Sequence, residues 1–389
     1  MIKLEDIQGM KDFLLKTRRW IHMHPETGFD TVKTHDFIRD ELKRKNIEVI
    51  EHVGKNSLLG IIENGQGKTI GLRADIDALP MTEQNTVEYA SINIGKMHAC
   101  GHDAHSAMLL TAGIYLQEHK DLWSGKVILI FQEAEEGPNP GGALGIIESG
   151  LLNQVEHFYA FHVSSMFESG KIVSKKQGIF ASADTIKITL KGKGAHAAYP
   201  HLAIDPIMMS AEIIMLLQTI LSRRKNPLDP AVLTIAKIES GTTHNIIPET
   251  AYLEGTVRTF SYELRDWIKN EIEAVLKSVT SRVGGTYDYQ YIYEYDPTIN
   301  TDVEVDLFHK VVTETLGEDT YIELKQPSMG AEDFSRYIEY KQGAMAWLGT
   351  KKDDATAYSL HHPLFQLDEE ALMKGAMTFV NLVVAHKEG

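Results

Sequence analysis

Cysteine is almost absent from this chain of 389 residues, because Cys100 is the single one and no intrachain disulfide can form. A chain without disulfides fits a reducing compartment, so we expect a cytoplasmic protein. No apolar run approaches the ~18 residues that cross a bilayer. The N-terminal segment carries charges throughout and lacks the apolar centre of a signal peptide.

Basic residues are also in short supply. The 39 Lys and Arg residues stand against 54 Asp and Glu, which gives a formal net charge of −15 at pH 7. Binding to nucleic acid or to an anionic membrane usually requires a basic surface, so neither is an expected partner. Hydrophobic residues make up 43% of the chain, as in ordinary globular proteins. The length corresponds to about two or three domains.

Alternating hydrophobic runs and helical patterns predict an α/β fold with two domains. The apolar runs Lys126–Phe131 and His157–Phe161 are typical of strands inside a parallel sheet, and Ala104–His119 reads as a buried helix. Between residues 183 and 294 the order becomes β-α-β-β-α-β, which matches a ferredoxin-like unit. We therefore expect one domain of residues 1–182 plus 295–389, and an inserted domain of residues 183–294.

Four short segments combine residue types that bind metals or move protons. They are Met97–His105 (MHACGHDAH), Phe131–Gly137 (FQEAEEG), Phe161–Val163 (FHV) and Leu360–Pro363 (LHHP). Three of them lie at predicted strand or helix ends, where α/β sheets place their sites. Each segment alone has an ordinary explanation, such as a buried thiol, a solvated acidic loop or a surface histidine. Their co-occurrence favours a shared site.

The residue types in these segments suit a pair of metal ions. A thiolate and an imidazole, as in Cys100-Gly101-His102, bind borderline-soft cations such as zinc. Adjacent carboxylates can divide the tasks of metal ligand and general base. The candidate ligands are Cys100, His102, one carboxylate of Glu135 and Glu136, His162, and one of His361 and His362. Five ligands exceed one closed tetrahedral site and favour two metals about 3.5–4 Å apart.

Motifs along nearly the whole chain resemble the M20 family of metallopeptidases and amidohydrolases. Besides the four segments above, they are HMHPETGF (22–29), LRADIDALP (72–80), GKGAHAAYP (192–200), HNIIPE (244–249) and GAEDFS (330–335). The chain is most similar to the N-acyl-amino-acid amidohydrolase branch, which includes hippurate hydrolases, auxin-conjugate hydrolases and N-acetyl-diaminopimelate deacetylases. The resemblance implies a di-metal aminopeptidase-like catalytic domain and an inserted ferredoxin-like lid that also mediates dimerisation. The implied reaction is hydrolysis of an N-acetyl, N-benzoyl or similar amino acid.

The same resemblance implies roles for individual residues. Cys100 would bridge two divalent metal ions, Mn²⁺ or Zn²⁺, and Glu135 would be the general base. The other implied ligands are His102, Glu136, His162 and His361, although His362 stands where the family usually has Ser or Asn and leaves that choice open. Asp77 would support the base or a ligand histidine. In the lid, His196 would reach a neighbouring subunit's site and stabilise the oxyanion, while Asn245, Arg258 and Gly330 would contact the substrate.

Other functions remain open on the same scaffold. A dipeptidase or aminopeptidase would need an acidic residue for the free amine of its substrate, and the sequence does not locate one. A non-catalytic binder would be expected to lose a ligand or the base, yet all of them are present. Arg258 is also an ordinary residue for an exposed strand face, and the segment Gly330–Ser335 is compatible with a simple turn into a helix. Softness of the thiolate favours zinc, whereas the branch also includes manganese enzymes.

Overall fold

Helices and strands alternate over most of the computed structural model, which describes residues 1–339 and 341–388 and confirms the α/β fold. The chain forms two units. Unit 1 contains Met1–Ile179, Ile299–Gln326 and Asp333–Gly389. Unit 2 contains Phe180–Thr298 and Pro327–Glu332. Among the described residues, no helix is both long and apolar enough to cross a membrane.

The α-helices, in chain order, are α1 Leu4–Ile7, α2 Lys11–Met23, α3 Val32–Arg44, α4 His102–Glu118, α5 Gly142–Glu148, α6 Pro206–Thr219, α7 Tyr262–Val283, α8 Asp302–Leu316, α9 Ser335–Ile338 and α10 Leu372–Ala385. The β-strands are β1 Glu48–Val53, β2 Ser57–Asn64, β3 Thr69–Asp75, β4 Gly125–Gln132, β5 His157–Glu168, β6 Ile172–Ser174, β7 Gln177–Phe180, β8 Ala183–Lys191, β9 Ala195–His196, β10 Ala231–Ser240, β11 Ile246–Ile247, β12 Thr250–Thr259, β13 Thr286–Tyr295, β14 Thr298–Asn300, β15 Tyr321–Glu323 and β16 Gln342–Lys351.

Unit 1 is built on a mixed sheet with the strand order β1-β2-β4-β3-β5-β16-β6-β15. Its central strands β4, β3, β5 and β16 are parallel neighbours. Their residues are almost entirely buried, which explains why β4 and the start of β5 read as continuous apolar runs. Because parallel strands end at the same edge, the residues that follow β3 and β4 come together there.

Helix α4 lies in the core of unit 1. It packs against α2, α10 and β3, and every residue from His102 to Leu116 is buried. Small and apolar side chains on all faces of α4 make this burial possible. The helix begins directly after Gly101, so its first residue, His102, is buried at the start of the helix.

Unit 2 contains a four-stranded antiparallel sheet in the order β10-β12-β8-β13. Along the chain its main elements run β8-α6-β10-β12-α7-β13, which is the predicted β-α-β-β-α-β order. Alternate residues of β8, among them Ile186, Ile188 and Leu190, are buried against the two helices. The function of this unit as a lid or dimerisation domain stays a prediction.

A partly buried polar chain joins the start of β5 to α8 and to His386, the residue after α10. His157 Nδ1 lies 2.8 Å from Glu304 Oε1, and the Tyr159 hydroxyl donates to the other oxygen of Glu304. The same hydroxyl is 2.8 Å from His386 Nε2. Burial and the neighbouring His157 lower the pKa of His386 to about 4, so its ring is neutral in the folded protein at pH 7.

This polar chain predicts a loss of stability at mildly acidic pH. Below the unfolded pKa of about 6.5 the unfolded state binds a proton on His386 that the folded state does not bind. Stability is therefore complete above pH ~6.5 and falls as the pH approaches 4. After allowance for solvent screening at this half-buried ring, the contribution to the free energy of unfolding is of order 1–2 kcal/mol.

Urea unfolding at several pH values should show a weaker pH dependence of the free energy of unfolding for His386→Asn than for the wild type. The exposed-residue control His309→Asn should keep the wild-type profile, and an equal slope in all three would contradict this assignment.

Candidate active site

Two groups of potential metal ligands meet at the carboxyl edge of the unit 1 sheet and share one atom. The ligand atoms of Cys100, His102 and His162 all lie within 4.8 Å of one another, and so do those of Cys100, Glu136 and His361. Cys100 Sγ is 3.4 Å from His162 Nε2, and His361 Nε2 is 3.0 Å from Glu136 Oε1. The structure thus brings all five predicted ligands together around the single thiol.

The position of His162 differs from the expectation that it follows a strand. β5 continues to Glu168, so His162 lies inside the strand and is held by its backbone pairing with β16. Its Nδ1 donates to the Val163 carbonyl at 2.7 Å, which leaves Nε2 unprotonated and facing Cys100. Burial and the neighbouring His105 lower the pKa of His162, so the ring has the neutral form that binds metals.

His361 and His362 have different surroundings. His361 adopts a left-handed backbone conformation (φ 63°), and its N–H donates to the Ala99 carbonyl at 2.8 Å, beside Cys100. His362 instead stacks on Tyr358 at 4.6 Å between ring centroids, and its Nδ1 accepts from the Leu364 N–H at 3.1 Å. The geometry therefore favours His361 as the ligand.

Asp77 is buried beneath the pair of adjacent glutamates. Its two carboxylate oxygens accept from the N–H groups of Glu135 at 3.0 Å and Glu136 at 3.1 Å. His102 Nδ1 lies 3.4 Å from the same carboxylate, so the other nitrogen of the ring turns away from Asp77. Asp77 thus orients both the glutamate loop and His102, which is the arrangement that outer carboxylates give to metal-binding histidines.

A buried polar network behind the site was not predicted from the sequence. Arg73 donates to Asp75 and to Asp333, each at 2.8 Å, and both ion pairs are fully buried. The other oxygen of Asp75 is 2.6 Å from His105 Nδ1, while His105 Nε2 accepts from the Val163 N–H at 2.9 Å. One sequence signal pointed to it, since Arg73 directly follows the apolar residues Ile70-Gly71-Leu72 in β3.

The donor set fits divalent cations. Cys100, Glu135 and Glu136 place several acidic groups in a buried volume, and burial together with both glutamates raises the pKa of the Cys100 thiol. A nearby cation would offset this and stabilise the thiolate. His102 Nε2 is buried and makes no hydrogen bond to any residue that the structure describes. Such an orphaned nitrogen beside a thiol and carboxylates suits a borderline-soft metal.

The predicted lid residues fall in two groups within unit 2. His196 lies in β9 rather than at the tip of a free turn, because it pairs with Ile246 of β11. The Ala197 N–H donates to the Asn245 carbonyl at 3.0 Å, so His196 and Asn245 are neighbours, and both are exposed.

Arg258 and Gly330 form the other group. The Ala181 N–H donates to the Gly330 carbonyl at 2.9 Å, and the Ser182 N–H donates at 2.7 Å to Thr259, the residue after Arg258. Because a strand rises about 3.3 Å per residue, Arg258 lies roughly 26 Å along β12 from the end near His196. One copy of unit 2 therefore does not bring all four residues to a single point.

A buried thiol shared between two ligand groups, next to paired glutamates at a parallel sheet edge, defines a metal-dependent hydrolase. The model of peptidase family M20/M25/M40 matches residues 71–385, and the chain belongs to that family and is a hydrolase. The resemblance seen in the sequence is thereby confirmed.

Relatives match along almost the full chain. The sequence is 37% identical to thermostable carboxypeptidase 2 of Saccharolobus solfataricus, over 97% of this chain and 96% of that protein. It is 37% identical to N-acetyl-L-cysteine deacetylase of Bacillus subtilis, over 95% and 87% of the two chains. A crystal structure of the Bacillus subtilis YxeP protein, described as a dinuclear metal binding peptidase from the M20 family, superposes with a TM-score of 0.87 at 32% identity and covers 98% of this chain and 99% of that one.

Gly101 provides a test of how the ligand loop is built. It lies between Cys100 and His102 with φ +86°, and an added Cβ would meet Val163 Cγ2 at 2.2 Å. Gly101→Ala should therefore cost about 1–3 kcal/mol of backbone strain, in addition to the clash, and should reduce bound metal. Thermal unfolding and elemental analysis measure the two effects. Gly9→Ala is the matched control, because no described atom lies within 4 Å of a Cβ there. Wild-type stability and metal content in Gly101→Ala would show that the loop tolerates a side chain.

Proposed function

We propose that this protein is a di-metal amidohydrolase that cleaves the amide bond of N-acyl amino acids and releases a carboxylic acid and a free amino acid. The observation that carries the proposal is the position of Cys100 Sγ in both ligand groups, with His102 and His162 on one side and Glu136 and His361 on the other. These five residues would hold a pair of divalent cations, Mn²⁺ or Zn²⁺, because the Cys100 thiol belongs to both ligand groups. Since this function needs a reduced thiol, we also propose that the protein works in the cytoplasm.

The reaction adds one water to the amide. When bound, the two cations would polarise the acyl carbonyl and lower the pKa of the attacking water. Glu135 takes a proton from that water as the C–O bond forms, and later transfers it to the leaving nitrogen as the C–N bond breaks. Asp77 positions Glu135 through the backbone N–H contact at 3.0 Å. Glu136, by contrast, is assigned to a cation.

His196 is proposed to donate a hydrogen bond to the oxyanion in the site of a neighbouring subunit. The two lid groups, His196 with Asn245 and Arg258 with Gly330, lie at opposite ends of β12. Substrate contacts from both groups therefore require more than one copy of unit 2, which supports a dimer or higher oligomer with composite sites. Arg258 is suited to bidentate capture of the substrate carboxylate.

The deacetylase relative supports an N-acyl amino acid as the substrate, whereas the carboxypeptidase relative supports a peptidase on the same scaffold. A substrate panel separates these functions. Initial rates on N-acetyl-, N-benzoyl- and longer N-acyl amino acids should exceed those on unblocked dipeptides and on N-blocked dipeptides. Elemental analysis of the same preparation identifies the metal. Higher kcat/KM on the dipeptides would replace the proposal with a dipeptidase, aminopeptidase or carboxypeptidase function.

The paired glutamates should give different phenotypes when each is replaced. Glu135→Gln should keep both metals and reduce kcat by ~10²–10⁴, the range for loss of a general base. Glu136→Gln should instead lose bound metal together with activity. Metal analysis, circular dichroism and steady-state kinetics on both variants compare the two roles under identical conditions. Exchanged phenotypes would mean that the two roles are reversed.

Composite sites can be tested by mixing inactive chains. Glu135→Gln and His196→Ala should each be inactive as pure proteins. After subunit exchange, a mixed dimer contains one site with intact Glu135 from one chain and intact His196 from the other, so part of the activity should return. Exchange is verified with differently tagged chains. Proven exchange without recovery would place His196 in its own chain's site, or outside the reaction.

A further inference from the structure

Two histidines between α3 and β1 form a cluster that the hydrolytic reaction does not use. His35 on α3 and His52 on β1 stack with their ring centroids 4.8 Å apart and an interplanar angle of 16°. A ligand atom from each of these rings and one from Glu51 lie within 4.8 Å of one another. The group thus combines two imidazoles and a carboxylate, which is a set of ligands that zinc sites use.

The tautomers of both rings leave the same nitrogen available. His35 Nδ1 faces Asp36 Oδ1 at 3.3 Å, and His52 Nδ1 faces the Lys55 carbonyl at 3.2 Å. Neither oxygen has a proton to give, so each Nδ1 is the donor and each Nε2 retains its lone pair. Metal-binding histidines are oriented in this way, with the second nitrogen donating to a carboxylate or a carbonyl.

The surroundings of His35 Nε2 also favour a ligand. The side chain of His35 is only 1% exposed, and its Nε2 makes no hydrogen bond to the part of the chain that the structure describes. A buried polar atom without a partner costs on the order of 1–3 kcal/mol, which a ligand at that atom would offset. Burial and the neighbouring His52 ring lower the pKa of His35, so the imidazole is neutral and can bind a cation.

The backbone holds His52 in an unusual conformation. Its φ is +56°, in the left-handed region that non-glycine residues rarely adopt. The turn that follows is tied to the core, because the N–H groups of Lys55 and Asn56 donate to the carboxylate of Glu133 at 2.8 and 2.7 Å. The anchored turn therefore fixes the end of β1, which carries the His52 ring beside His35.

We propose that His35 and His52 bind a divalent cation that prefers imidazole ligands, such as Zn²⁺, at a site separate from the Cys100 centre. Glu51 completes the site as a secondary ligand. It already pairs with Lys43 Nζ at 2.5 Å and lies 3.6 Å from Arg39, so a bound cation would share or displace these contacts. Hard cations such as Mg²⁺ prefer all-oxygen sites and are not expected here.

The experiment measures the number of zinc ions bound per chain, on the whole protein with its native metals in place. Equilibrium dialysis against Zn²⁺ alone, followed by elemental analysis, should give one more zinc per chain for the wild type than for His52→Asn. Asparagine tolerates the left-handed conformation, so this variant removes the ligand without adding backbone strain. Glu51→Gln should cause a smaller loss of affinity, and dialysis against Mg²⁺ should show no difference between the proteins.

Controls separate this site from general effects of histidine replacement. His309→Asn, an exposed residue on α8, should keep the wild-type zinc count, while His35→Gln should lose the same equivalent as His52→Asn. Crystals soaked in Zn²⁺ should show an anomalous peak between the two Nε2 atoms. Equal zinc counts in the wild type and His52→Asn, or a peak only at other residues, would overturn the proposal. Because the readout is zinc at His35 and His52, it does not depend on the proposed amidase activity.

Discussion

The buried ion pairs of Arg73 with Asp75 and Asp333 are the constraint on which the site depends. They tie the end of β3 to the segment before α9, and Asp333 also accepts from the Gln132 side chain at the end of β4 at 2.7 Å. Breaking such a fully buried pair typically costs 3–5 kcal/mol, because an unpaired charge is left in the core. The strand ends that carry the acidic loops are therefore held at a common edge before any cation binds.

Single hydrogen bonds connect this ion-pair network to the candidate metal ligands. Asp75 fixes His105, and His105 accepts from the backbone N–H of Val163, the residue next to His162. Asp77, two residues after Asp75, holds the backbone of Glu135 and Glu136. Both sides of the candidate metal centre are thus positioned by residues at the end of β3. A precise catalytic site requires this kind of support from surrounding residues.

The candidate zinc site at His35 and His52 is built by the same local rule. At the Cys100 centre and at this cluster, a histidine donates Nδ1–H to an oxygen and offers Nε2, as His162 does toward the Val163 carbonyl. The segment after β4 lies between the two regions, because the Glu133 carboxylate accepts from the N–H groups of Lys55 and Asn56 in the turn after His52, while Glu135 and Glu136 belong to the candidate metal centre. Residues 133–136 therefore connect the turn after His52 to the candidate metal centre through a short stretch of backbone.

The local pattern of apolar and polar residues determined much of the secondary structure of this protein. The sequence predicted the apolar strands β4 and β5, the buried helix α4 and the β-α-β-β-α-β order. These features could be predicted because strand or helix periodicity and burial determine which positions along the chain are apolar. The chemistry-bearing segments were also readable, because thiol, imidazole and paired carboxylates are rare together. Only the tertiary structure decided what those residues touch. β1 and β16 were not predicted, and His162 lies within a strand rather than after it. The Arg73–Asp333 pair joins residues 260 positions apart. Such contacts depend on strand order and packing between remote segments, which no local pattern encodes.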